Sequence, residues 1–308
     1  MGTAADLFGP VVTAMVTAFD GEGGLDIEKT VRIARFLQSQ GNTALVLTGT
    51  TGEASTLTDD EKIAVWEAVS AAVTIPVIAG SGSNDTAHSV HMTASAERAG
   101  AAGILAVAPY YNRPAQSGIA GHFRAVAGAT KLPVVLYDIP VRTGRKVAAD
   151  TIVALAGELH NLVALKDAAG SPAATAELLG QAKAGFDVYS GDDSLTLPLL
   201  SVGAVGVIGV ATHWATPFFA AMVESFFAGD VARAAEINRA LVPSYNFETS
   251  EAAPNPVPTK AMMDQLGYAA GDCRLPLGKG PDWLADKAAG VLSGLADAAS
   301  ELNIKAAS

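Results

Sequence analysis

Residues 162–167 read Leu-Val-Ala-Leu-Lys-Asp. Four apolar residues in unbroken succession suit a β-strand covered on both faces, as in a parallel sheet flanked by helices. Seven further runs surround it in the chain: Val11–Val16, Ala44–Leu47, Pro76–Ala79, Gly103–Val107, Val134–Tyr137, Asp187–Tyr189 and Gly206–Val210. Helix-type stretches lie between them, among them Asp26–Gln40, Asp59–Ala72, Asp85–Ala99 and Pro172–Lys183. Such alternation implies parallel strands joined by helical crossovers. Eight units predict closure into an α/β fold of the (β/α)8 TIM-barrel type rather than an open sheet. An open doubly wound sheet would carry a Gly-rich nucleotide turn after its first strand. The stretch Asp20-Gly21-Glu22-Gly23-Gly24 is Gly-rich, but its two carboxylates would repel phosphate, so it reads as a plain turn.

The barrel pattern ends near Ala228-Gly229-Asp230. Residues 1–229 are therefore expected to form the catalytic barrel and residues 230–308 a C-terminal helical extension. Helices are predicted there over Val231–Leu241, Pro258–Leu266 and Asp282 to about Leu302. Three prolines within Ala252–Pro258 make a stiff connector.

Composition narrows the function classes. Half of the 308 residues are hydrophobic, enough for a large core, which excludes bulk disorder. Twenty basic against 31 acidic residues leave a net charge of −11, which argues against a nucleic-acid face or an acidic membrane surface as partner. Cys273 is the only cysteine, so no disulfide can form within the chain, as suits a reducing compartment. No apolar run reaches the ~18 residues of a membrane span; the nearest, Leu195–Ala211, is broken by Pro198, Ser201 and three glycines. No basic-then-apolar leader opens the chain, and Asp6 stands where a myristoylation signal needs Ser or Thr. The expectation is a soluble cytoplasmic protein.

In such a barrel the active site lies at the C-terminal ends of the strands. Lys166 closes the run 162–165, so its amine would enter the barrel mouth. Burial disfavours the ammonium and lowers its pKa, which yields a nucleophile able to form a Schiff base. Tyr137, one strand earlier, could shuttle protons. Thr50 and Thr51, flanked by Gly49 and Gly52, offer hydroxyls and exposed N–H groups suited to a carboxylate. Arg142 offers a planar fork for a second carboxylate. Each has a bland alternative: a solvated lysine, a packing aromatic, a simple turn, a surface ion pair. Their convergence on one barrel face favours chemistry. His88 and His91 are three apart on a predicted helix, but no third metal ligand is evident; His122, His160 and His213 are scattered. Glu53 follows the threonine pair and reads as a residue that caps or orients that loop. No nucleophile elbow or Walker loop appears.

Six motifs then converge: GTTGE (49–53), PYYNRP (109–114), YDIPVRTG (137–144), LKDAAG (165–170), SGDDS (190–194) and NPVPTK (255–260). With them the chain resembles, from about Leu7 to Pro276, the class I Schiff-base pyruvate lyases, the family of dihydrodipicolinate synthases and N-acetylneuraminate lyases. The resemblance implies that Lys166 is the Schiff-base lysine. Tyr137 would relay protons, linked through Thr50 to Tyr111, which in the family reaches into the neighbouring subunit's site across a tight dimer. Thr50 and Thr51 would hold the pyruvate carboxylate, and Gly191 and Ile208 would line the pyruvate pocket with backbone groups. Arg142 points to the synthase branch, where the matching arginine holds the carboxylate of aspartate semialdehyde; PYYNRP and NPVPTK also resemble that branch more closely. The implied reaction is condensation of pyruvate with L-aspartate semialdehyde to 4-hydroxy-tetrahydrodipicolinate, in diaminopimelate and lysine biosynthesis. It needs no metal or organic cofactor, and the usual assembly is a dimer of dimers. The alternatives are a pyruvate aldolase of the same family acting on N-acetylneuraminate or a 2-keto-3-deoxy sugar acid, and a non-catalytic binding or regulatory barrel. Arg142 argues against the first, and the joint presence of Lys166, Tyr137, Thr50 and Tyr111 against the second.

The chain departs from the family pattern at Ala18, where many members have Pro, and at Ala169, where many have Thr. In the lysine-inhibitor cleft of some relatives it has Asp59, Lys62 and His88 in place of two histidines and an acid, while Asn84 and Tyr110 are retained. Loss of an anionic partner and the added Lys62 predict weak or absent inhibition by lysine.

Overall fold

The computed structural model describes residues 2–304; Met1 and residues 305–308, at the outer ends of the two expected units, lie outside the described residues. Eight strands, β1 (Val11–Ala14), β2 (Ala44–Leu47), β3 (Val77–Gly80), β4 (Gly103–Val107), β5 (Val134–Asp138), β6 (Leu162–Asp167), β7 (Asp187–Ser190) and β8 (Gly206–Gly209), pair in chain order. All are parallel, and β8 returns to β1, with Ile208 opposite Val12, so the barrel is closed. The helices are α1 (Ala4–Phe8), α2 (Ile27–Ser39), α3 (Asp59–Ser70), α4 (Thr86–Arg98), α5 (Gln116–Gly128), α6 (Pro140–Thr143) and α7 (Ala149–Glu158). They continue with α8 (Pro172–Leu179), α9 (Thr196–Leu200), α10 (Thr212–Phe227), α11 (Val231–Phe247), α12 (Val257–Gln265) and α13 (Trp283–Glu301). The expected (β/α)8 barrel and C-terminal helices are both present.

The strand residues divide between two layers. Val12, Ala14, Val46, Ile78, Val135 and Ile208 fill the barrel interior. Leu45, Leu47, Ala79, Ile104, Leu136 and Leu165 pack outward beneath the helices. This is why the runs read as apolar throughout. In β6 the alternation slips: the register to β5 shifts between Val134 and Val135, and Val163 and Ala164 both join the interior layer. A β-bulge of this kind re-aims every side chain beyond it. Leu165 therefore faces outward and Lys166 inward, opposite Tyr137 in register.

Several element bounds differ from expectation; α8, for example, ends at Leu179 rather than Lys183. The β1 ladder ends at Ala14 rather than Val16, although the Met15 N–H still donates to the Val46 carbonyl (2.9 Å). β6 runs on through Lys166 and Asp167, which continue the pairing with β5. α11 runs to Phe247 instead of stopping at Leu241. Pro243 reads as a stop because it lacks an N–H and crowds the preceding turn. Burial of Leu241, Ser244 and Phe247 carries the helix through it. The extension packs on the barrel: α10 to α13 share one apolar cluster with Val11 of β1 and Val207 of β8.

Candidate active site

The C-terminal ends of β2, β5, β6 and β7 converge on a cavity of about 400 Å³. Lys166, Tyr137, Thr50, Thr51, Arg142 and Gly191 all line it. Lys166 is only 4% exposed, and its Nζ lies 4.5 Å from the centroid of the Tyr137 ring. Burial lowers its pKa to about 8; Arg142 pushes the same way, while Asp193 and Glu248 oppose. A lysine so placed has an appreciable free-amine fraction near neutral pH. Tyr137 is likewise buried, and burial pushes its hydroxyl up to about 12 against the opposing influence of Arg142 and the Thr50 side chain. It is a phenol that keeps its proton until a partner accepts it.

Gly191 gives the lysine room. A Cβ there would stand 3.0 Å from Lys166 Cγ and 3.1 Å from its Cε. Its N–H donates to the Asp167 carbonyl (2.7 Å), which continues the β6–β7 ladder past the strand end. Thr51 is buried, and its hydroxyl accepts from Asn255 Nδ2 (2.9 Å), an arm of the C-terminal extension. Thr50 is half-buried in the same loop. Arg142 projects from α6, the single turn that follows β5 and is closed by Gly144 in the left-handed conformation. Its guanidinium has no carboxylate within salt-bridge distance among the described residues, so it is free for a ligand.

Two expected residues stand apart. Tyr111 lines neither this cavity nor its neighbour; its side chain is 88% exposed and its backbone is left-handed (φ 72°). Ile208 lies inside the barrel, and Val210, two residues further on, lines the cavity instead.

Three features at the site go beyond the roles read from the sequence. The first is Asn255, which reaches Thr51 from the connector. The second is a buried network behind the threonine loop. Lys260 Nζ lies 2.7 Å from Glu53 Oε1, with both side chains almost wholly buried, and 4.1 Å from the Phe19 ring. Arg274 stacks over the same ring at 4.3 Å, and its N–H donates to Glu53 Oε2 (2.9 Å). Glu53 thus anchors the loop to the extension. The third is a pair of carboxyls, Asp193 and Glu248, lining the lysine cavity. Asp193 accepts from the N–H groups of Val210 (2.9 Å) and Ala211 (3.0 Å), yet burial pushes it up to about 6. Burial also holds Glu248 well above the usual carboxylate range, reinforced by Asp193. SGDDS marked Asp193; nothing marked Glu248, because α11 was expected to end before it.

A second cavity of about 510 Å³ adjoins the first through Thr50, Tyr137 and Arg142. Asp59, Lys62, Asn84, His88 and Tyr110 line its far side. His88 Nε2 lies 2.9 Å from Asp59, and Lys62 Nζ 3.8 Å from the same carboxylate. His213 is a core residue, its Nδ1 donating to the Val210 carbonyl (2.7 Å) and its Nε2 accepting from Val16 N–H (3.1 Å).

Comparison with known proteins agrees with this geometry. Residues 7–288 match the model of the dihydrodipicolinate synthetase family. The 4-hydroxy-tetrahydrodipicolinate synthase of Moorella thermoacetica is 48% identical over 274 residues, covering 88% of this chain and 92% of that protein. The Bacillus subtilis protein of the same name is 43% identical over 272 residues, covering 88% and 93%. The crystal structure of the Cyanidioschyzon merolae synthase with lysine bound superposes with a TM-score of 0.91 at 38% identity, covering 94% of this chain and 99% of that one. The chain belongs to the dihydrodipicolinate synthetase family.

Proposed function

We propose that the protein condenses pyruvate with L-aspartate semialdehyde through an imine on Lys166, giving 4-hydroxy-tetrahydrodipicolinate for diaminopimelate and lysine synthesis. The observation that carries this reading is a buried lysine of lowered pKa beside Tyr137, with an unpaired arginine on the same cavity.

The free amine of Lys166 adds to the ketone of pyruvate, whose carboxylate is held by the Thr50–Thr51 loop. Tyr137 supplies the proton that lets water leave, and the imine forms. Loss of a methyl proton gives the enamine. Its carbon attacks the aldehyde of the second substrate, whose carboxylate is held by Arg142. The second substrate's amine then displaces Lys166 and closes the ring. Gly191 and Ile208 contribute backbone to the pyruvate end of the site. Tyr111 acts across a subunit boundary in a tight dimer, two of which form the tetramer; its exposure and left-handed backbone support a role outside its own chain. The enzyme works in the cytoplasm, as its single cysteine suits. No step calls for a metal or organic cofactor.

Steady-state assays with pyruvate and L-aspartate semialdehyde test the reading. Robust turnover that Lys166→Ala abolishes is expected. Pyruvate trapped on Lys166 by borohydride without turnover of this aldehyde would leave the imine chemistry and move the second substrate to a sugar-acid aldehyde.

A further inference from the structure

The mechanism above leaves the acidic side of the cavity unused: the carboxyls of Asp192, Asp193 and Glu248. Asp192 is engaged by Ser194, whose N–H and hydroxyl donate to its Oδ1 (3.0 and 2.7 Å). Asp193 is tied to the barrel by two backbone N–H groups at 210–211. Glu248 is not tied. Its Oε2 is shut off from solvent and has no hydrogen-bond donor among the described residues. A buried carboxyl oxygen left without a donor is costly, and a ligand that brings an N–H group relieves that cost. α11 carries Glu248 to the cavity through Pro243, at a helix end fixed by burial of Ser244 and Phe247. Arg142, on the same cavity, arrives from a different element, α6.

An amino-acid aldehyde carries one carboxylate, one aldehyde and one ammonium. The first has Arg142 and the second meets the enamine on Lys166. The third needs a carboxyl acceptor, and its positive charge favours the ionised form of a carboxyl that burial alone holds neutral. We propose that Glu248, backed by the anchored Asp193, receives the ammonium group of the second substrate and is a specificity-determining residue for amino aldehydes. The assignment rests on the function proposed above. It also gives the cavity a way to discriminate against aldehydes that lack the amine, because these leave the carboxyl unpaired.

The test compares L-aspartate semialdehyde with succinic semialdehyde, which has the same chain without the amine. Glu248→Gln is expected to raise KM for aspartate semialdehyde by at least about tenfold, the size of one lost hydrogen bond to a charged group. KM for pyruvate and borohydride trapping on Lys166 should stay within about twofold, and so should the Ki of succinic semialdehyde as a competitor. Glu248→Asp should recover part of the loss. An equal loss toward both aldehydes, or an unchanged KM for the amino aldehyde, would overturn the Glu248 assignment alone. An unaltered enzyme inert toward aspartate semialdehyde would overturn the function reading and the assignment with it.

Discussion

Lys166 faces the cavity because β6 carries a bulge four residues from its end, where Val163 and Ala164 both turn inward. The run 162–165 is apolar on both faces, so the sequence marked the lysine by its position at the strand end and could not show which way it points. Burial then sets its chemistry. Well below pH 8 the ammonium cannot attack a ketone, so kcat/KM for pyruvate should rise about tenfold per pH unit and level off near pH 8. A flat profile from pH 6 to 9 would contradict the assignment. The same shift acts on stability. The folded-state pKa lies below the unfolded one, so the cost is full below about pH 8 and fades as pH rises towards 10.5. The drop from 10.5 to about 8 corresponds to about 3 kcal/mol. Lys166→Met should therefore abolish activity yet raise the melting temperature at pH 7, with the gain shrinking at alkaline pH. Gly191→Ala places a methyl 3.0 Å from Lys166 Cγ and should cut pyruvate turnover more than tenfold while the fold survives. Circular dichroism beside the kinetics separates these outcomes.

Among the elements, the eight strands and most helices were legible because their apolar periods match a barrel covered on both faces. The far end of α11 was not, since its local signal at Pro243 conflicts with the burial that sustains the helix to Phe247, and Glu248 was lost with it. The motifs marked the threonine loop and, in NPVPTK, residues that hold it, but not the contacts between them. Glu53, at φ 57°, reaches from that loop to Lys260 of α12 and to the backbone of Arg274. Removing one partner of a buried ion pair typically costs about 3–5 kcal/mol. Lys260→Met should lower stability by that order and raise KM for pyruvate more than it lowers kcat. Lys260→Arg should restore part of both, and an unchanged KM would separate the network from the loop. Between α3 and α4, His88 and Lys62 both face Asp59. That carboxylate is already engaged by Lys62 and His88, so millimolar lysine should leave the rate nearly unchanged. Strong inhibition at low lysine concentration would sink this expectation.

For the whole molecule, the barrel supplies Lys166, Tyr137 and Arg142, and the C-terminal extension supplies Asn255, Lys260 and Glu248. The proposed division at residues 229–230 is thus one of topology more than of independence. Residues 230–308 expressed alone should not hold a native fold, because their apolar cluster includes α10, Val11 and Val207. Tyr111 and Val141, 88% and 87% exposed, leave large side chains on the surface of a single chain, as a subunit contact would explain. Tyr111→Phe should lower turnover without changing the pKa of the pyruvate profile. Mixing Tyr111→Phe with Lys166→Ala subunits should recover some activity if the tyrosine serves its neighbour. The central claim, an imine between pyruvate and Lys166, is tested most directly by borohydride reduction followed by peptide mass spectrometry. Pyruvate-dependent, irreversible inactivation is expected, with the adduct on the peptide that contains Lys166. Full activity after reduction in the presence of pyruvate, or an adduct on another lysine, would contradict it.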